Sequence, residues 1–148
     1  MKLLVICAFV SFLPLVALGQ QDQQPTSKPV LIDVSDKAAL DAAMDKQVEL
    51  EGVVSRAEWN AKGSVFFINF ENAQETKVLA VAFEKKREAL EKSFAGDLSK
   101  ALTGAKIRVR GTLKDYKGKP EVIIEMPSQI TIVEMAPTTA PSTQPSNK

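Results

Sequence analysis

The sequence predicts a mainly β domain, in which five strands form a small barrel and one helix lies between the third and the fourth strand. Two observations support this fold class. Apolar and polar residues alternate in several short segments, which is the period-2 pattern of half-buried strands. Between residues 47 and 133, these segments and one of helical period follow in the order strand, strand, strand, helix, strand, strand.

The first three strands are predicted at residues 47–58, 64–71 and 78–83, as a meander. In the first strand, Gly52 interrupts an apolar face formed by Val48, Leu50 and Val54. A glycine inside a strand often marks a bulge or bend, and a barrel needs such a bend where one strand serves both of its halves. Residues 59–63 form the turn to the second strand. There, one face is assigned to the core and consists of Phe66, Ile68 and Phe70.

Two helical segments accompany these strands. Residues 84–102 change to helical period, with a break predicted near Gly96 and a favourable pair between Glu88 and Lys92. One apolar stripe of this segment is predicted to comprise Phe83, Leu90, Phe94 and Leu98. Residues 30–46 are predicted to form a short strand followed by a short helix that Ser35 caps.

The fourth and fifth strands lie within residues 106–133. Apolar residues alternate with basic ones as far as Lys114, and a turn with Gly118 and Pro120 follows. Two β-branched runs come next, at residues 122–124 and 130–133. From Lys106 to Lys119 the chain has six basic residues and one acidic residue, Asp115, so this segment has a local positive charge.

This order of elements is that of the OB-fold, a five-stranded Greek-key barrel. Four motifs strengthen the assignment: EGVV at residues 51–54, FFINF at 66–70, VRG at 109–111, and YKGKPEV…PSQI at 116–130. With these motifs, the chain resembles the OB-fold nucleic-acid-binding domains appended to secreted bacterial nucleases. The resemblance implies a binding role without cleavage, because no nuclease domain accompanies the barrel. The chain also resembles, more weakly, small secreted bacterial OB-fold proteins, for which the resemblance does not specify the ligand.

The two ends of the sequence differ from the domain between them. Residues 1–19 are predicted to be a signal peptide, with Lys2, an apolar run and a small-residue cleavage site that ends at Gly19. A retained anchor helix is the alternative, although the run is short and contains Pro14. Residues 20–29 are predicted to be a disordered linker, 30–135 the OB-fold domain, and 136–148 a disordered tail rich in Pro, Ser and Thr. Cleavage would yield a secreted or periplasmic protein without a membrane span.

Signal removal would exclude several chemistries. The chain has no histidine, and its one cysteine, Cys7, lies in the signal. Imidazole general bases, thiolate nucleophiles and Cys or His metal ligands are then impossible. No phosphate-binding glycine loop is present, so we predict a protein that is not an enzyme and needs no cofactor or metal. Without Lys2 the chain carries 18 basic and 18 acidic residues, so nucleic-acid binding would require a local patch.

Single-stranded nucleic acid is the predicted ligand, because OB-folds bind it by stacking bases on aromatic rings while cations contact the phosphates. The candidate residues are Trp59, Lys62, Phe67, Lys77, Arg108, Arg110, Tyr116, Lys117 and Lys119. Structural roles are open for some of them. Trp59 has the alternative of packing over the barrel mouth, Phe67 of joining the core, and the two arginines of pairing with Glu121 or Glu125 across the sheet. The competing functions are binding of an oligosaccharide or small ligand and interaction with an envelope protein.

Overall fold

A computed structural model of the protein describes residues 28–136. The predicted signal peptide, residues 20–27 of the predicted linker, and residues 137–148 of the tail lie outside the described residues. The predictions for these segments therefore stay predictions.

The described residues form seven strands and three short α-helices. The strands are β1 (Val30–Asp33), β2 (Gln47–Trp59), β3 (Val65–Phe70), β4 (Leu79–Phe83), β5 (Lys106–Tyr116), β6 (Lys119–Ile124) and β7 (Ile130–Glu134). The α-helices are α1 (Lys37–Ala42), α2 (Arg87–Ser93) and α3 (Leu98–Leu102). Single 3-10 turns at Glu84–Lys86 and Pro127–Gln129 precede α2 and β7.

Strands β2 to β6 close into a five-stranded barrel with the neighbour order β2-β3-β4-β6-β5 and a further pairing of β5 with β2. The first half of β2 pairs with β5, and its second half pairs with β3, so one long strand serves both halves of the barrel. Strands β2, β3 and β4 form an antiparallel meander, and β6 runs parallel to β4. This topology is the OB-fold, and it confirms the predicted fold class.

Strands β1 and β7 extend the barrel at its sides. Strand β1 runs parallel to the first half of β2, and β7 runs antiparallel to the first half of β5. The last of the β-branched runs in the sequence is therefore an added strand beside β5, outside the five strands of the barrel.

Gly52 is required for close packing, and the bulge lies elsewhere in β2. The register between β2 and β3 shifts between Val54 and Arg56, two residues beyond the glycine. A Cβ atom at position 52 would lie 2.6 Å from Cγ2 of Val34 and 3.0 Å from Cδ1 of Phe70. A larger residue would force this well-packed region to shift, so the glycine lets Val34 reach the barrel wall.

The barrel interior holds the predicted core. Phe66 and Ile68 of β3 are completely buried, as are Leu50 of β2 and Leu113 of β5. Each lies at an alternating position of its strand, because successive side chains point to opposite faces of a sheet. The assignment of Phe66, Ile68 and Phe70 to the core is confirmed.

The segment between β4 and β5 is helical but interrupted. It breaks around Ala95 and Gly96, which have φ angles of 56° and 84°. The break predicted near Gly96 is confirmed. Leu90 and Leu98 are buried, whereas Phe83 is 39% exposed at the end of β4, so its assignment to the helical stripe was wrong. The predicted pair of Glu88 with Lys92 is not among the salt bridges of residues 28–136; in this segment Arg87 pairs with Glu91 at 2.8 Å.

The cap of α1 also differs from the prediction. The Asp36 carboxylate, one residue after Ser35, accepts a hydrogen bond from the Ala39 amide at 3.0 Å. Ser35 instead donates its hydroxyl and its amide to Asp33, which lowers the pKa of that carboxyl group.

Candidate nucleic-acid interface

An open groove lies on the outer surface of the barrel, over strands β3, β4 and β6. We call it the aromatic groove; it has a volume of about 340 Å³ and is lined by Val65, Phe67, Leu79, Val81, Phe83, Tyr116, Lys119 and Glu121. Three of these side chains are aromatic and three are aliphatic. Such a surface offers π faces and apolar contacts to a flat ligand.

The apolar lining follows from strands that are apolar on both faces. Because Phe66 and Ile68 point into the barrel, Val65 and Phe67 must point outwards from β3. On β4, Phe83 pairs with Val65 and Val81 with Phe67, so these four side chains form adjacent cross-strand pairs. Phe67 is half-buried in this arrangement, which confirms its predicted place on the outer face.

The hairpin between β5 and β6 adds an aromatic ring and a cation. Lys117 and Gly118 form its two-residue loop with φ angles of 55° and 78°, as a type I′ hairpin turn requires. Tyr116 and Lys119 therefore lie directly opposite each other. Tyr116 is 55% exposed, and the Lys117 ammonium lies 5.2 Å from the centre of its ring.

Lys77 lies beside the aromatic groove. It lines a neighbouring depression of about 260 Å³, which also includes Leu79 and Lys119. Both depressions share Leu79 and Lys119, so these two residues lie where the depressions meet. The lysines of the hairpin thus supply positive charge next to Tyr116, and Lys77 adds a cation in the neighbouring depression.

Glu121 gives the lining one acidic side chain. It lies on β6 between Leu79 of β4 and Lys114 of β5 and is half-buried. Burial raises the pKa of this carboxyl group, and the negative charge of Asp115 raises it further. The ammonium of the facing Lys114 pairs with Asp45 at 2.8 Å.

Arg108 and Arg110 lie on another face of the barrel, and their predicted partners were wrong. Arg108 pairs with Glu51 at 2.6 Å, and Arg110 contacts Glu49 at 3.4 Å. These partners stand opposite the arginines because β5 pairs with the first half of β2. The prediction instead chose acidic residues of β6 or the segment after it, since the sequence does not reveal which edge of β5 faces β2.

Glu51 joins two cations on that face. It contacts Lys106 at 2.8 Å as well as Arg108. Hydrogen bonds from these two cations lower the pKa of the Glu51 carboxyl group, and the bond from Lys106 has the larger effect. Much of the positive charge between residues 106 and 110 is thereby neutralised within the protein. Arg110 lines a separate cavity of about 500 Å³ that has no aromatic lining, so the larger cavity is the poorer stacking surface.

Trp59 and Lys62 do not line the aromatic groove. The Trp59 ring packs 5.1 Å from that of Phe66, and the Arg87 guanidinium lies 4.8 Å above it. Trp59 thus packs against the core, whereas the alternative considered for it was packing over the barrel mouth. Lys62 is exposed in the turn before β3. Of the nine candidate residues, five lie in or beside the groove: Phe67, Lys77, Tyr116, Lys117 and Lys119.

Sequence reasoning missed five lining residues: Val65, Leu79, Val81, Phe83 and Glu121. For Leu79, Val81 and Phe83 of β4 a signal was present, because apolar residues occupy both faces of the strand predicted at residues 78–83. A strand that is apolar on both faces is either covered by another layer or carries an exposed apolar surface.

Two kinds of feature are absent from the described part of the chain. Residues 28–136 contain no group of three or more acidic side chains arranged to hold a metal ion. No helix in this range is long and apolar enough to cross a membrane.

Comparison with solved structures agrees with the fold. The chain is similar to a protein assigned as an aspartyl-tRNA synthetase of Leishmania major Friedlin, with a TM-score of 0.52, 17% identity, and coverage of 80% of this chain and 23% of that one. For the aspartyl-tRNA synthetase of Entamoeba histolytica the TM-score is 0.49 and the identity 15%, with coverage of 92% and 28%. The chain thus spans about a quarter of the length of these proteins. No protein-family model and no curated protein sequence matches it.

Proposed function

We propose that this protein binds single-stranded nucleic acid in the aromatic groove. The observation that supports the proposal is the position of Tyr116 and Phe67 in one open groove, with Lys117 and Lys119 on the adjoining hairpin. Bases of a single strand can stack on exposed rings whatever their sequence, and each stacked base contributes about 1–3 kcal/mol. The two lysines can contact the phosphates of the bound strand beside the groove.

The location of the groove also fits a binding role. OB-folds bind oligonucleotides and oligosaccharides on their second and third strands and on the loops beside them. Strands β3 and β4 are the second and third strands of this barrel, and the β5–β6 hairpin is the loop between its fourth and fifth strands. The aromatic groove occupies this surface.

The proposal includes a role without catalysis and export from the cytoplasm. The absence of histidine, together with a lone cysteine in the predicted signal, supports a binding role. The apolar run after Lys2 and the cleavage site at Gly19 support export. N-terminal sequencing of the protein from its native cells tests export; an N-terminus at Gln20 is expected, and an intact Met1 would contradict it.

The binding proposal is tested by fluorescence anisotropy with a labelled single-stranded DNA oligomer of mixed sequence. We expect saturable binding that weakens with salt. If Lys77, Lys117 and Lys119 each neutralise one phosphate, the logarithm of the association constant should fall with that of the salt concentration with a slope of about −2.

A Phe67→Ala/Tyr116→Ala double variant serves as the matched test of the groove, with circular dichroism as the check of folding. The folded double variant should lose binding. Absence of binding by the unaltered protein at low salt, or full binding by the folded double variant, would contradict the proposal.

A further inference from the structure

Glu121 is an unexpected side chain in a groove for a polyanion. The other residues of the aromatic groove are aliphatic, aromatic or, at Lys119, cationic. A carboxylate at this place repels phosphate, so on charge alone it weakens the binding proposed above. Hydrogen bonds that the carboxylate oxygens accept from a ligand would compensate this cost.

The surroundings of Glu121 leave those oxygens available to a ligand. Its neighbour on β5 is Lys114, whose ammonium lies 2.8 Å from Asp45. Its neighbour on β4 is Leu79, whose side chain has no polar group. Within residues 28–136, no salt bridge joins Glu121 to a cation, and both influences on its pKa, burial and the charge of Asp115, disfavour the ionised form. A hydrogen-bond donor from a ligand would stabilise the ionised form of this carboxyl group.

The acceptor chemistry distinguishes the four bases. An ionised carboxylate accepts hydrogen bonds at two adjacent oxygens and donates none. Guanine alone presents two adjacent donors, N1–H and the N2 amino group, on its Watson–Crick edge. Adenine and cytosine present one amino group beside an acceptor nitrogen, whereas thymine and uracil present N3–H between two carbonyl oxygens that repel a carboxylate.

On the basis of the proposed function, we propose that Glu121 makes the aromatic groove selective for guanine. Both carboxylate oxygens accept from the Watson–Crick edge while the base stacks on an aromatic side chain of the lining. Glu121 is then a specificity residue, and the aromatic rings and lysines supply affinity that does not depend on sequence. A bidentate pair of this kind discriminates against a wrong base by about 1–3 kcal/mol, or roughly five- to 150-fold.

The test uses short thymidine oligonucleotides that carry one central guanine, inosine, adenine or cytosine, with all-thymidine as the reference. Each oligonucleotide carries at most one guanine, so it contains no guanine tract through which strands could associate with one another. We expect the guanine oligonucleotide to bind about tenfold more tightly than the reference. Inosine, which lacks only the 2-amino group, should lose most of this preference.

Two variants separate base recognition from a structural effect. Glu121→Gln keeps the size of the side chain but removes one acceptor and the charge; it should bind all the oligonucleotides with similar affinity, and the reference at least as tightly as the unaltered protein does. Glu125→Gln makes the same change at an exposed position outside the groove and should keep the guanine preference.

The outcomes separate the two proposals. Equal affinity of the unaltered protein for guanine, inosine and thymidine would overturn guanine selectivity and leave nucleic-acid binding in place, as would a guanine preference that survives in Glu121→Gln. Absence of binding to every oligonucleotide at low salt would overturn nucleic-acid binding itself.

Discussion

Tyr116 of β5 lies directly opposite Lys119 of β6, and both side chains line the aromatic groove. The two-residue turn between them fixes this pairing, because a type I′ turn sets the register of a hairpin. An exposed ring and a cation are thereby held side by side at the edge of an apolar surface. A single-stranded nucleic acid needs the same two partners, one for its bases and one for its phosphates.

Replacing Tyr116 by Ala should weaken the binding of single-stranded DNA about tenfold, because one stacked base loses about 1–3 kcal/mol. The side chain is 55% exposed, so the fold should not change. Met126→Ala is the matched control, since Met126 is 57% exposed and lies outside the groove. Anisotropy titrations of both variants make the comparison. Equal affinity of the two variants would show that Tyr116 does not stack on the ligand.

Replacing Lys119 by Gln should reduce the salt dependence of binding. One lost phosphate contact lowers the slope of log affinity against log salt by about 0.7 for a single strand. Arg110→Gln removes one positive charge from another face, where Glu49 is its partner, and should leave the slope unchanged. Titrations over a series of salt concentrations give both slopes. A larger change of the slope in Arg110→Gln than in Lys119→Gln would indicate that the phosphates contact the face of β2 and β5 instead.

Replacing Trp59 by Ala should lower the free energy of unfolding by about 2 kcal/mol, since the ring packs on Phe66 and beneath Arg87. Its effect on DNA affinity should be small, because Trp59 does not line the groove. Urea denaturation followed by circular dichroism and anisotropy titration give the two quantities. Trp59→Phe is the control and should keep most of the stability. A large loss of affinity in a folded Trp59→Ala protein would place the ligand at the β2–β3 turn.

Two glutamates should affect stability in opposite directions as the pH changes. The pKa of Glu51 is lowered in the folded protein, so its contribution is present above the unfolded pKa and is lost as the pH falls through the folded one. Glu51→Gln should therefore destabilise the protein at neutral pH. The pKa of Glu121 is raised, so its ionised form costs stability above the folded pKa, and the cost disappears as the pH falls to the unfolded pKa.

Glu121→Gln should accordingly stabilise the protein at neutral pH. Each effect should be about 1 kcal/mol or less, because both sites contact solvent. Thermal unfolding at neutral pH and at an acid pH below the lowered pKa of Glu51 measures both variants, and the differences should vanish at the acid pH. Stabilisation by Glu51→Gln at neutral pH would contradict the ion-pair geometry on β2 and β5.

Strand periodicity could predict the barrel, because the inward residues alternate strictly with the outward ones. The side chains of Phe66 and Ile68 in β3 and of the three valine and leucine positions in β2 fix which face of each strand points inwards, since a slip by one residue would expose them all. The turn chemistry of Lys117 and Gly118 likewise predicts the hairpin. These signals are local in the chain, and that is why they could be interpreted without a structure.

The partners of charged residues could not be predicted in the same way. Arg108 and Arg110 lie on the part of β5 that pairs with β2 some sixty residues earlier in the chain, and their alternation with apolar residues does not identify that neighbour. The outward residues of β4 were missed for a related reason. Leu79, Val81 and Phe83 can be recognised as groove residues only once the pairing of β3 with β4 shows that they lie beside Val65 and Phe67.

Amide chemical-shift mapping of the protein with a single-stranded DNA oligomer tests the central claim most directly. The account predicts that the largest shifts fall on β3, β4 and the β5–β6 hairpin, with Phe67, Val81, Tyr116 and Lys119 among them. The face that carries Arg108 and Arg110 should change little. Shifts concentrated on that face, or no shifts at low salt with saturating DNA, would contradict the assignment of the aromatic groove as a nucleic-acid interface.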